Sequence, residues 1–189
     1  MSLQQYLDDF DALARKVDPA EVEALIDAID EAYRNDKFVF LIGNGGSGAN
    51  ASHLCEDLGK GTLHDFEKQK RMKVMSLTDN TPYILAWAND TSYDRVFVEQ
   101  LKNFAEPGAL LIAISGSGNS PNVIKAVEYA NANGMKTFGM TGYDGGQLQR
   151  IAHRSMHVPS FDMGAVEAVH GVVMHYILGV LYERFKKMA

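Results

Sequence analysis

Two histidine–carboxylate pairs in this sequence have the spacing to act together. His53 and Asp57 are four residues apart, so a helix would carry both on one face. Glu167 and His175 are eight apart, again on one helical face, among Val166, Val169, Val172, Val173 and Ile177. A carboxylate in so apolar a helix is costly unless it is paired or holds a metal. Two imidazoles and two carboxylates form a donor set that suits zinc. Glu56, three from His53, and His170, three from Glu167, compete for the same places. His64, His153 and His157 read as capping or solvent-facing residues.

Two glycine- and serine-rich stretches could hold an anion. Gly43-Asn44-Gly45-Gly46-Ser47-Gly48 follows a short apolar run and opens a helix-length segment. Bare glycine backbone can approach a phosphate, and the helix behind it supplies unpaired N–H groups. Ser47 suits an N-cap. No Gly-Lys-Ser/Thr follows, so this is not a P-loop, and a G-x-G-x-x-G pattern inside a glycine cluster is no dinucleotide fingerprint. The second stretch is Ser115-Gly116-Ser117-Gly118-Asn119-Ser120-Pro121. Hydroxyls and helix-end amides together make a phosphate cradle that needs no Lys or Arg. Plain capping, with Asn119 or Ser120 as N-cap and Pro121 at the first helical position, is the alternative.

The elements that must position these groups are legible in the period of the apolar residues. Leu3, Tyr6, Leu7, Phe10, Leu13 and Val17 recur at helical spacing, as do Val22, Leu25, Ile26, Ile29 and Tyr33 after Pro19. Short continuous apolar runs follow, at 38–42, 73–77, 109–114, 136–140 and 155–158, the mark of buried parallel strands. Helix-length stretches separate them at 47–58, 81–89, 119–133 and 146–152, and a long, almost uniformly apolar helix spans about 164–187. This predicts an α/β fold: a flavodoxin-like five-stranded parallel sheet in the order 2-1-3-4-5, flanked by helices, with an N-terminal helical hairpin and a long C-terminal helix. We read residues 1–189 as one domain, with 1–35 as a hairpin for oligomerisation and 36–189 as the ligand-binding core. The apolar surplus at both ends points to a helix-mediated oligomer.

Composition narrows the function classes. The formal net charge of −6 and 22% charged residues over 189 positions suit a folded chain with a small-molecule ligand and argue against a nucleic-acid partner. The single cysteine, Cys55, excludes an internal disulfide and fits a reducing cytoplasm. The early acids of MSLQQYLDDFDALARK exclude a signal peptide. No apolar run is read as reaching the ~18–20 residues of a membrane span.

Taken in order, GNGGSGANASHLCEDLGKG, the AND at 88–90, ISGSGNS at 114–120, TGYDGG at 141–146 and EAVHGVVMH at 167–175 resemble the phosphoheptose isomerases of the sugar isomerase (SIS) domain family. The resemblance runs over nearly the whole chain. It implies the SIS fold, a cytoplasmic homotetramer with sites at subunit interfaces, a phosphorylated sugar as substrate and one zinc per site. It places Asn44, Gly45, Gly46, Ser47, Asn89, Asp90, Ser115, Gly116, Ser117 and Ser120 on the substrate, together with Asp57 and Glu167. His53, Asp57, Glu167 and His175 fall where the family holds its metal, with Asp57 and His175 catalytic. Two positions depart from the family: Asp57 stands where Glu is usual, and Glu167 where Gln is usual. Gly48-Ala49-Asn50 and TGYDGG are closer to a non-catalytic branch that binds a replication initiator, but that branch lacks the acid and imidazole kept here.

The reaction implied is aldose–ketose isomerisation, most directly of sedoheptulose 7-phosphate to D-glycero-D-manno-heptose 7-phosphate. A base removes the proton alpha to the carbonyl and an enediol is reprotonated on the neighbouring carbon. Asp57 is the expected base and His175 the expected acid. The alternatives are another phosphosugar, or a non-catalytic sugar-phosphate sensor or initiator-binding tetramer.

Overall fold

The computed structural model describes residues 1–188. Two helices lead, α1 (Leu3–Ala14) and α2 (Pro19–Arg34). The Asp18 carboxylate accepts the Ala20 N–H and Pro19 opens the helix, so the break between them is written in an Asp-Pro pair. Then strands and helices alternate: β1 (Val39–Gly43), α3 (Gly45–Glu56), β2 (Val74–Ser76), α4 (Thr81–Asp90), α5 (Val98–Leu101), β3 (Leu110–Ser115), α6 (Pro121–Ala132), β4 (Lys136–Thr141), α7 (Gly146–Ile151), β5 (Arg154–His157) and α8 (Met163–Lys186). All pairings are parallel and the strand order is β2-β1-β3-β4-β5. Fold class and strand order are those the apolar pattern predicted.

The strands are buried on both faces, and their alternate residues feed two cores. Val39 and Leu41 of β1 and Leu110, Ile112 and Ile114 of β3 pack with α2, α3 and α8. Phe40 and Ile42, with Leu111 and Ala113, pack on the other side with α5, α6 and Leu148. The first core contains both helices that carry the histidine–carboxylate pairs. The switch point of the sheet, where a ligand crevice is expected, lies between β1 and β3.

Three details differ from the sequence reading. α3 begins at Gly45, with Asn44 rather than Ser47 at its N-cap position. The glycines permit this early start: Gly45 has φ +54°, a conformation only glycine takes cheaply. The segment between α4 and β3, left without structure, forms a 3₁₀ turn (Tyr93–Arg95) and α5, whose residues are all buried. Leu25, Ile26 and Ile29 of α2 are fully buried in the core shared with the sheet. α1 is the exposed member, with Leu13 its one buried residue. Finally, α8 is long and apolar enough to cross a membrane by length and composition alone, contrary to the reading of no such run. Here Val166, Val169, Met174, Ile177, Leu181 and Phe185 seat it on the sheet and α2.

Candidate active site

At the switch point the loop after β1 and the loop after β3 face each other across a cavity of about 220 Å³. Asn44, Gly45, Gly46, Ser47, Ser115, Gly116, Ser117 and Ser120 all line it, with Glu167 on the α8 side. These are the loop residues singled out from sequence. Ser47 is inside the first turn of α3 and 5% exposed. Pro121 opens α6, and Ser120 occupies its N-cap position without accepting a hydrogen bond from the helix. That leaves its hydroxyl free for a ligand, apart from a 3.4 Å contact with Ser115 Oγ. The first turn of α3 and the serine loop that leads into α6 therefore meet at one cavity, an arrangement suited to an anion.

The first turn of α3 comes close to α8 at Gly46, which has no side chain. A Cβ on Gly46 would collide with the Glu167 carboxyl group. One turn further, Asn50 Nδ2 donates to the Glu167 carbonyl at 3.0 Å and ties the two helices. The face of α3 carrying Gly46, Asn50 and His53 thus runs along the face of α8 carrying Glu167, Gly171 and His175.

At the far end of that seam three donors converge. His53, Asp57 and His175 each offer a ligand atom, all within 4.8 Å of one another. His53 Nε2 is 3.6 Å and His175 Nδ1 3.8 Å from Asp57 Oδ2. The imidazole rings stand edge to face at 5.0 Å between centroids. Asp57 begins a π-helical turn (Asp57–Gly61) that continues α3. Such widened turns re-aim side chains and are frequent at functional sites. Two imidazoles and a carboxylate at this spacing fit a divalent metal of zinc's preferences, with a ligand position left open.

The structure does not bring Glu167 into this group. Eight residues at 1.5 Å rise separate it from His175 by about 12 Å along α8, and its carboxylate is in the cradle wall instead. The four-ligand site expected from sequence is therefore a three-residue site within one chain. Asn89 and Asp90 also stand apart: they end α4 with Asn89 Nδ2 donating to Asp90 Oδ1, exposed and outside the cavity lining. Neither competitor joins the triad. Glu56 pairs with Lys60 at the surface. His170 is completely buried, with Nε2 3.2 Å from the Thr141 carbonyl. Burial pushes its pKa down to about 4, helped by the nearby charge of His157 and opposed by the Thr141 contact.

Sequence reasoning passed over two residues, Asn122 and Tyr93. Asn122 Nδ2 donates to Asn44 Oδ1 at 2.9 Å, and Asn44 Nδ2 donates back to Asn122 Oδ1 at the same distance. The Tyr93 hydroxyl donates to Asn44 Oδ1 at 3.0 Å. The available signal was an amide in the run Asn122-Val123-Ile124, whose other members pack in the core.

Known proteins resemble this chain across both fold and sequence. The family model described as SIS domain matches residues 5–142. A probable phosphoheptose isomerase of Thermoplasma acidophilum is 34% identical over 98% of this chain and 100% of its own length. A phosphoheptose isomerase of Mycobacterium bovis is 39% identical over 82% of this chain and 77% of its own. The solved phosphoheptose isomerase of Neisseria gonorrhoeae superimposes with a TM-score of 0.84 at 25% identity, covering 95% of this chain and 98% of that one.

Proposed function

Because the chain belongs to the SIS domain family, among its phosphoheptose isomerases, we propose that it interconverts sedoheptulose 7-phosphate and D-glycero-D-manno-heptose 7-phosphate. The observation that carries this reading is the placement of an anion cradle and an imidazole–carboxylate triad at opposite ends of one α3–α8 seam. A sugar phosphate held at one end presents its carbonyl end toward the other. Asp57, held 14% exposed between two imidazoles, is set to take the proton alpha to the carbonyl. His175, on the opposite helix, is set to return a proton to the enediol. The serine hydroxyls and helix-end amides hold the phosphate and so fix which carbon lies at Asp57. His53, Asp57 and His175 would hold zinc, which when bound polarises the carbonyl oxygen.

Two finer points belong to the same proposal. The imidazoles of His53 and His175 are 50% and 59% exposed, so the triad lies at the protein surface. Exposed apolar side chains flank it on α8 (Val172 and Tyr176), and others lie on α1 (Leu3 and Leu7). A homotetramer that buries these faces, in the cytoplasm, would close the sites at subunit interfaces. The test is an isomerase assay of zinc-loaded protein over a panel of ketose phosphates, with the mass in solution from light scattering. Turnover of sedoheptulose 7-phosphate by an ~83 kDa particle, four times the 20.8 kDa chain, is expected. A metal-free protein of monomer mass without turnover would refute the reading and support a non-catalytic role.

A further inference from the structure

The two halves of the cradle come from loops 78 residues apart in sequence, measured from Asn44 to Asn122. Their spacing decides whether hydroxyls and amides from both can reach one phosphate. Backbone pairing between β1 and β3 ends at Gly43 and Ile114, one or two residues short of the lining groups. Beyond that point a side-chain contact joins them, the reciprocal amide pair of Asn44 and Asn122.

The pair adds little net stability over an apolar contact of the same shape. Asn122 is 1% exposed in the first turn of α6, beside the fully buried Val123. A buried amide contributes little over an apolar residue of the same shape, yet is costly when its partner is lost. Its use is direction. Asn122 Oδ1 accepts both Asn44 Nδ2 and the Val123 N–H, at 2.9 and 3.0 Å. Asn44 Oδ1 accepts both Asn122 Nδ2 and the Tyr93 hydroxyl. Each carbonyl oxygen thus has both lone pairs engaged, so neither amide can rotate without losing contacts. Asn44 occupies the N-cap position of α3 but makes no side-chain capping bond. Its amide is spent on the opposite loop instead of on its own helix.

We infer that Asn122 is a positioning residue for phosphate binding, acting through Asn44 and braced by Tyr93, so that the two glycine–serine loops are held at one separation before the ligand arrives. The inference rests on the sugar-phosphate reading of the cradle. Preorganisation of this kind acts on affinity, since the loops need not be ordered by the ligand. It has little reason to act on the proton transfer at the far end of the seam.

The test measures three things on the full-length protein: the Kd of inorganic phosphate by calorimetry, the kinetics with sedoheptulose 7-phosphate, and amide hydrogen exchange at residues 45–47. Asn122→Ala is expected to raise both the phosphate Kd and KM about ten-fold, the loss of a hydrogen-bonded pair, with kcat changed less than roughly three-fold. Asn44→Ala combined with Asn122→Ala should bind phosphate no more weakly than Asn44→Ala alone, the non-additivity of residues acting as one unit. Tyr93→Phe, on the surface, should raise both constants roughly two- to three-fold and serves as the arm if Asn122→Ala fails to fold. Faster exchange at 45–47 in either variant is expected. A folded Asn122→Ala or Tyr93→Phe protein with unchanged phosphate Kd overturns the inference. A wild type that binds phosphate but turns over no ketose phosphate sinks the isomerase reading while leaving the positioning role standing. A wild type that binds no phosphate overturns both.

Discussion

The cradle and the triad share the α3–α8 seam, yet one is walled largely by backbone and the other is built from side chains alone. The cradle's walls are glycine backbone and short serine side chains at strand ends, placed by the register of β1 on β3. The triad is made of three side chains from two helices, of which only Asp57 is largely buried, at 14% exposure. It offers three atoms that could hold a metal, with both imidazoles exposed. The proposed anion site is thus built on the sheet itself, whereas the proposed metal site rests on side chains at the surface. Binding and chemistry should accordingly respond to different substitutions.

The sharpest break is at Asp57. Asp57→Asn keeps the shape and removes both the base and the charge between the imidazoles. A kcat lowered about 10³-fold is expected, within the range for losing a general base, with the inorganic phosphate Kd unchanged. Steady-state kinetics and calorimetry on the same preparation check this. A matching loss of phosphate affinity would show that the two ends are one site.

Between the two regions α8 is pegged by His170, under the Thr141 carbonyl. In the fold its ring stays neutral down to about pH 4, whereas unfolded it takes a proton near 6.5. The unfolded chain holds more protons between those values, so stability falls as pH drops through that window. At about 1.4 kcal/mol per pKa unit the full loss is of order 3 kcal/mol. Urea unfolding from pH 7 to 4, at fixed protein concentration, should show this slope, and His170→Leu should flatten it. An unaltered slope in the variant would assign the acid sensitivity elsewhere.

At the cradle, Ser117→Ala with Ser120→Ala should raise KM about ten-fold by removing hydrogen bonds to a charged group. The effect is smaller than at Asp57 because the glycine backbone at the start of α3 remains. A folded double variant with unchanged KM would remove this loop from the site.

How much of this was legible follows the same division. Strand order, the two loops and the His53–Asp57 pair were readable because each is a local pattern: apolar runs ended by glycine, hydroxyls before a proline, one helical turn. Two features were not. Asn122 and Asn44 meet across a fold, and no spacing marks them. The start of α3 moved because glycine tolerance for a positive φ, at Gly45, outweighed the capping preference of Ser47.

Glu167 is the residue on which the comparison is most finely balanced. Its spacing to His175 suggested a shared metal, but about 12 Å of helix lies between them, and the carboxylate sits against Gly46 in the cradle. A negative group there opposes a phosphate dianion. Two unit charges 4 Å apart repel by about 1 kcal/mol in water and about 4 at an effective dielectric of 20. The cavity is open to solvent, which favours the low end. The carboxylate also has no salt bridge among the described residues to offset it. Glu167→Gln should therefore lower KM and the phosphate Kd roughly two- to five-fold, an effect that weakens as salt rises. Zinc affinity, read by competition with a chromogenic chelator, should not change, because none of the three converging donors is altered. Had Glu167 been a ligand, the same substitution would loosen zinc and leave phosphate binding alone. The two measurements on one variant thus decide to which end of the seam this carboxylate belongs.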